Sequence, residues 1–151
     1  MNDGRASVKV DLSERSVALN LPFPPTLNHD LGVNNRRRYR TKAYKAFVEE
    51  VGWLWKVASM QFLSMRRSWS DENLYDVTVW LAYNSRRRWD EDNRVKPLFD
   101  ALTLAGVWKD DSQVVSHVVK KFQPVQGAAR CYVKIKMLYG DAPEIPDFCD
   151  F

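Results

Sequence analysis

Apolar and polar side chains alternate most clearly from residue 74 to residue 83, where Tyr75, Val77, Val79, Leu81 and Tyr83 are interleaved with Asp76, Thr78, Trp80 and Ala82. A period of two is that of a strand with one face buried. The same period recurs near the C-terminal end. Residues 114–122 and 130–139 are two β-rich runs joined by a turn around Gln126-Gly127, and in the second run Cys131, Val133, Ile135 and Met137 share one face. That register puts Lys134 and Lys136 on the opposite face and buries the Cys131 thiol as a small hydrophobe. Residues 16–23 (SVALNLPF) have strand character and are stopped by Pro24-Pro25. The period changes to that of a helix where Phe47, Val51, Leu54, Trp55 and Ala58 recur, which predicts an amphipathic helix over about residues 41–63. A second helix is expected from about Arg94 to Ala105, with Val95, Leu98, Phe99 and Leu102 on its apolar face and Gly106 as its stop. Pro97 then falls in its first turn, where a missing N–H costs little.

The order β, α, β, α, β, β predicts one α/β or α+β domain: a mixed sheet of about four strands with two main helices packed on it. We divide the chain into a polar, aperiodic and flexible N-terminal segment (1–15), a folded unit (16–140) and an acidic tail (141–151). A chain of 151 residues suits one sizeable core rather than two. Cys131 and Cys149 are far apart and have no CxxC spacing, so neither a zinc site nor a disulfide framework is indicated. No run approaches the roughly 20 apolar residues of a membrane span and no signal-peptide pattern opens the chain, so a soluble cytoplasmic protein is expected.

Charge adds a direction. The balance of +4 is modest, but residues 34–45 (NNRRRYRTKAYK) hold six basic residues and no acid, whereas residues 141–151 hold four acids and no base. The net positive balance suits an anionic partner, while the basic run by composition alone is that of a solvated face.

The chemistry concentrates in residues 90–114, DEDNRVKPLFDALTLAGVWKDDSQV, where five aspartates and one glutamate stand at the junctions between predicted elements. Asp90 and Asp92 lie between a strand end and a helix start. Asp110 and Asp111 lie between that helix and the next strand. Two carboxylates at i and i+2 of extended chain point the same way, and a returning strand can bring a third beside them. Clustered acids repel unless a divalent cation neutralises them, and oxygen ligands without His or Cys select magnesium or manganese over zinc. Such a set serves phosphodiester hydrolysis, and the same aspartates read alternatively as a helix N-cap and as a turn before a strand. Lys96, four residues after Asp92, is placed to aim its ammonium at a phosphate or to position the attacking water, with Asp100 one turn further as an ion-pair partner. Spacing does not separate Asp110 from Asp111. His29 and His117 are isolated and read as ordinary surface or core histidines.

PFPPTLNHD, RRRYRTKAYKAF and RRRWDEDNRVKPLFDALTLAGVWKDDSQVV, taken together over residues 20–122, resemble the RusA family of Holliday-junction resolvases. The resemblance rests on DxDN followed by Lys, FDAL, AG and DD in that order. It implies that Asp90, Asp92 and Asp111 form a magnesium-binding triad, with manganese as a substitute, and that Lys96 is the catalytic lysine. Asn93, Asp100 and Asp110 match motif positions in supporting roles. It further implies a homodimer acting on four-way DNA junctions in a bacterial or phage-infected cell. Arg36, Arg37, Arg38, Arg40, Lys42, Arg86, Arg87 and Arg88 then become the DNA-binding residues, and Tyr39 and Tyr44 candidates for stacking on bases or, for Tyr44, for core packing. Glu91 is an added carboxylate inside DxDN. The competing readings are a nuclease for flaps or other branched DNA, and a DNA-binding protein without catalysis.

Overall fold

The computed structural model describes residues 6–26, 31–34, 37–61 and 73–138. In chain order the elements are β1 (Ser7–Asp11), β2 (Ser16–Pro22), β3 (Leu31–Asn34), β4 (Arg37–Arg40), α1 (Lys42–Gln61), β5 (Leu74–Ala82), α2 (Asp92–Ala105), a 3-10 turn (Asp111–Gln113), β6 (Val114–Phe122) and β7 (Arg130–Leu138). Both helices form where the periodicity places them. Thr41 precedes α1, and its hydroxyl accepts the Tyr44 N–H at 3.3 Å, an N-cap that satisfies one of the donors a helix start leaves open. Tyr44, Phe47, Val51, Leu54, Trp55 and Ala58 then form one buried stripe. The end of this helix expected near residue 63 lies outside the described residues.

α2 starts two residues earlier than its apolar pattern indicates. The Asp90 carboxylate accepts the Asp92 N–H at 3.2 Å, and the Glu91 carbonyl accepts from Arg94 and Val95, each at 2.8 Å, so polar groups ahead of the first apolar residue already wind the first turn. Pro97 consequently sits inside the helix and not in its first turn. Gly106 ends α2 at φ +83°, and Val107 reaches back to the Leu102 carbonyl at 3.1 Å, a left-handed stop that a side chain would strain.

One mixed sheet of five strands, in the order β1-β2-β7-β5-β6, carries both helices, one strand more than the sequence pattern indicates. All pairings are antiparallel except β5 with β6, which α2 connects as a parallel crossover. β6 and β7 do not pair with each other. They flank β5, so residues 123–129 pass over its end, where Tyr83 donates to the Phe122 carbonyl at 2.9 Å and accepts from Val125 at 3.0 Å. The added strand is β1, in a segment read as polar and aperiodic. Asp11 closes its turn onto β2 by accepting the Ser13 and Glu14 N–H groups, both at 3.0 Å. β3 and β4 form a separate antiparallel pair in a stretch to which the sequence pattern assigns no strand, each being only four residues long.

The core lies between the helices and the inner sheet face, where Val17, Leu19, Val77, Leu81, Leu98 and Ile135 are essentially inaccessible. Cys131 is fully buried, and burial pushes its thiol well above the usual range, in keeping with a packing role. Lys134 and Lys136 lie on the opposite face as the alternation requires, Lys134 pairing with Glu14 at 2.7 Å. Leu98→Ala in α2 is expected to cost about 3 kcal/mol through lost transfer energy and a residual cavity, measured by urea unfolding. A loss below about 1 kcal/mol would contradict the tight seating of this helix.

Candidate active site

The loop after β5 and the first turn of α2 present the acidic motif to solvent. Asp90 and Asp92 are exposed, and Glu91 and Asn93 are half-buried. Acids before and at a helix start are favoured electrostatically by the partial positive charge there, which eases the placement of adjacent carboxylates. One turn on, Lys96 donates to Asp100 Oδ1 at 3.0 Å, the i,i+4 ion pair expected from the spacing. That hydrogen bond, and more weakly the charge of Asp111, hold the Lys96 pKa above the ordinary lysine value. Like any lysine near its ordinary value it is a cation at neutral pH, and the ion pair with Asp100 fixes where that charge sits.

The two neighbouring aspartates beyond α2 separate by role. Asp110 caps the 3-10 turn: its carboxylate accepts the Ser112 N–H at 2.8 Å, and hydrogen bonding from the Ser112 side chain and then from this N–H lowers its pKa. Gln113 completes the cap by accepting the Lys109 and Asp110 N–H groups at 2.8 and 3.2 Å, and its own amide donates to the Asn73 carbonyl at 2.8 Å. The Asp111 carboxylate enters no such bond among the described residues. It faces a cavity of about 370 Å³ whose walls include Arg40, Tyr44, Lys96, Asp100, Asp110 and Asp111. The Arg40 guanidinium lies 4.5 Å from the centre of the Tyr44 ring. Tyr44 itself is buried on α1, the core-packing one of its two readings, while still contributing to the cavity wall.

Lys96, Asp100, Asp110 and Asp111 thus come together around one hollow. Asp90 and Asp92 do not line it, and among the described residues no three His, Cys, Asp or Glu side chains are gathered closely enough to hold a metal ion between them. The triad of Asp90, Asp92 and Asp111 is not assembled at one point. Of the basic residues, Arg40, Lys42, Arg86, Arg87 and Arg88 are exposed. Arg36 lies outside the described residues, and Arg37 and Arg38 are placed by their backbone in β4. His29 is also outside them. His117 is exposed on β6, edge-on to Phe99 at 5.6 Å.

Beside the acidic loop stands a group that periodicity does not reveal. The rings of Phe23, Tyr83 and Trp89 contact one another with centroids 4.9 to 5.6 Å apart. Arg94 covers the Phe23 ring at 4.9 Å and donates to the Pro24 carbonyl at 2.6 Å, while burial lowers its pKa from the usual arginine value. These contacts join chain segments 70 residues apart. In sequence, the only hint is an aromatic residue immediately before Asp90 and another at the end of β2.

An α+β domain with exposed carboxylates at a helix start, a charged lysine one turn on and basic residues around them has the parts of a phosphodiester-cleaving nuclease. The profile of the family described as Endodeoxyribonuclease RusA matches residues 22–136, from the end of β2 into β7. Crossover junction endodeoxyribonuclease RusA of Escherichia coli strain K12 is 32% identical over 111 residues, covering 73% of this chain and 86% of that protein. The protein of the same name from Enterobacteria phage 82 is 32% identical over 109 residues, covering 72% and 85%. The Shigella sonnei protein is likewise 32% identical over 111 residues. The chain belongs to the RusA family.

Proposed function

We propose that this protein is a divalent-metal-dependent endodeoxyribonuclease that resolves four-way DNA junctions by paired symmetric nicks, acting as a homodimer in the cytoplasm of a bacterial or phage-infected cell. The observation that carries the reading is Lys96: a lysine ion-paired with Asp100, one helical turn after Asp92 and on the wall of the hollow that Asp111 faces. No helix among the described residues is long and apolar enough to cross a membrane. The catalytic unit is assigned to residues 16–140, with β1 extending its sheet.

The donors suit magnesium, or manganese in its place, by type: carboxylates at a solvent-facing helix start, with no sulfur or imidazole in the set. Their number suits it as well. Magnesium keeps several waters and is commonly held by one or two carboxylates together with substrate phosphate oxygens, and Asp90 and Asp92 supply two exposed carboxylates at the entry to α2. When bound, the ion supplies Lewis-acid activation of water and of the phosphodiester. Asp90 and Asp92 would hold it from the start of α2, with Asp111, which stands apart from them on the wall of the hollow, assigned as the third ligand. Its choice over Asp110 is supported by the commitment of Asp110 to the cap. Lys96 places a positive charge where the scissile phosphate gains negative charge. Asp100 keeps its ammonium aimed, and Asn93 supports the first turn. Arg36, Arg37, Arg38, Arg40, Lys42, Arg86, Arg87 and Arg88 hold the phosphates of the arms.

Metal dependence tests this reading. Magnesium or manganese is expected to support junction cleavage, calcium to permit binding with little turnover, and excess EDTA to abolish cutting. Full activity in EDTA would remove the metal from the account. Replacing Arg36, Arg37 and Arg38 together by Ala is expected to weaken binding to all sequences alike. The salt dependence of log K should flatten by roughly one unit for each phosphate no longer neutralised. An unchanged slope would place this run away from DNA.

A further inference from the structure

We propose that Lys121 and Gln123, at the C-terminal end of β6, are positioning residues that set the aim of Asp90 and Asp92. The inference rests on the reading of those two aspartates as metal ligands and goes beyond it by naming what holds them. The Gln123 side-chain amide is used at both ends by the loop before α2. Its Nε2 donates to the Arg87 carbonyl at 2.8 Å, and its Oε1 accepts the Trp89 indole N–H at 2.8 Å. Lys121 holds the same tryptophan, donating to the Trp89 carbonyl at 3.0 Å and lying 4.2 Å from the centre of its ring.

That carbonyl belongs to the peptide whose nitrogen is Asp90's own, so the Lys121 ammonium fixes the plane from which the Asp90 side chain departs. Asp90 in turn accepts the Asp92 N–H, which links the held loop to the helix start. The anchor is firm. Phe122, between the two positioning residues, pairs with Ala82 and accepts the Tyr83 N–H, so Lys121 and Gln123 issue from the end of a parallel strand already locked to β5. On its other side the Trp89 ring is closed in by Phe23 and Tyr83. Polar and ring contacts from a strand more than thirty residues away thus converge on Arg87–Trp89, and neither Gln123 nor Lys121 lines the hollow holding Lys96 and Asp111. Groups that orient ligands in this way tune metal affinity without touching substrate, and their loss typically weakens it ten- to a hundredfold.

Gln123→Ala is the test, read in two ways: the magnesium concentration that half-saturates junction cleavage, and the calcium concentration that half-saturates the tightening of junction binding where no cutting occurs. Both are expected to rise about tenfold, while junction binding in EDTA and the thermal midpoint stay at wild-type values. Trp89→Phe removes the indole donor and is expected to move both in the same direction. Gln123→Ala combined with Trp89→Phe should shift them no further than the larger single effect, since both variants break one shared bond. Gln123→Glu, which keeps the acceptor for Trp89 and loses the donor to Arg87, should fall between wild type and Gln123→Ala. Wild-type half-saturation in Gln123→Ala, or losses confined to binding in EDTA and to stability, would overturn the positioning role. Asp92→Asn separates the two levels. It should eliminate the calcium effect, and if calcium tightens its junction binding as in wild type, the ligand reading of Asp92 fails and the positioning inference falls with it.

Discussion

Asp92→Asn is expected to abolish strand cleavage while four-way-junction binding survives or tightens. Asp92 is the first residue of α2 and is exposed, and its contact with Asp90 is made through its backbone N–H, which the substitution leaves intact. An amide of the same shape therefore preserves the helix start and removes only the charge. Losing one anionic ligand lowers metal affinity, and the electrostatic contribution that goes with the ion is several kcal/mol, or at least about a thousandfold in rate. The same change removes repulsion between the carboxylate and an incoming phosphate, which is why binding is spared. Gel-shift titration in EDTA alongside single-turnover cleavage in magnesium checks both halves. Undiminished cleavage by the purified variant would take Asp92 out of the site.

Lys96→Ala is expected to slow cleavage about a hundredfold, since one positioned charge acting on a developing oxyanion is typically worth about 3 kcal/mol. The fold is expected to tolerate the change. The side chain is 56% exposed, and an exposed i,i+4 pair of this kind contributes little to stability. A single-turnover rate within about threefold of wild type at saturating magnesium would reduce Lys96 to a surface ion-pair residue.

These residues are legible in the sequence to different degrees. The stripe from Phe47 to Ala58 and the alternation of Tyr75, Val77, Val79 and Leu81 are visible because burial on one face imposes a period. The glycine stop at Gly106 is visible because a left-handed residue is needed there. β1 is hidden because it is a five-residue edge strand with only Val8 and Val10 against the core, announced mainly by the Asp11 turn. The β3–β4 pair is hidden because each strand is only four residues long and the apolar Leu31 and Val33 pair in register with the basic residues Arg40 and Arg38, too short a run to register as a period. At the site, Lys96 with Asp100 follows from helical spacing alone. The distinction between Asp110 and Asp111 requires the capping geometry of Gln113. The Trp89 anchorage depends on β6 lying beside β5, a fact of topology that local pattern does not encode.

Mapping both cut positions on a four-way junction labelled in turn on each strand is the most direct test of the central claim. The measurement is made with the wild-type protein in magnesium, with three-way and linear DNA as competitors and sedimentation of the same preparation. One domain with one acidic site makes one cut at a time, and a single nick leaves the four arms connected. A homodimer carries two such sites related by a two-fold axis. The expected result is a dimer that places two nicks on opposed strands symmetrically about the branch point and prefers the four-way substrate. A monomer that cuts one strand without a symmetric partner cut, or cleaves three-way and linear DNA equally well, would contradict it.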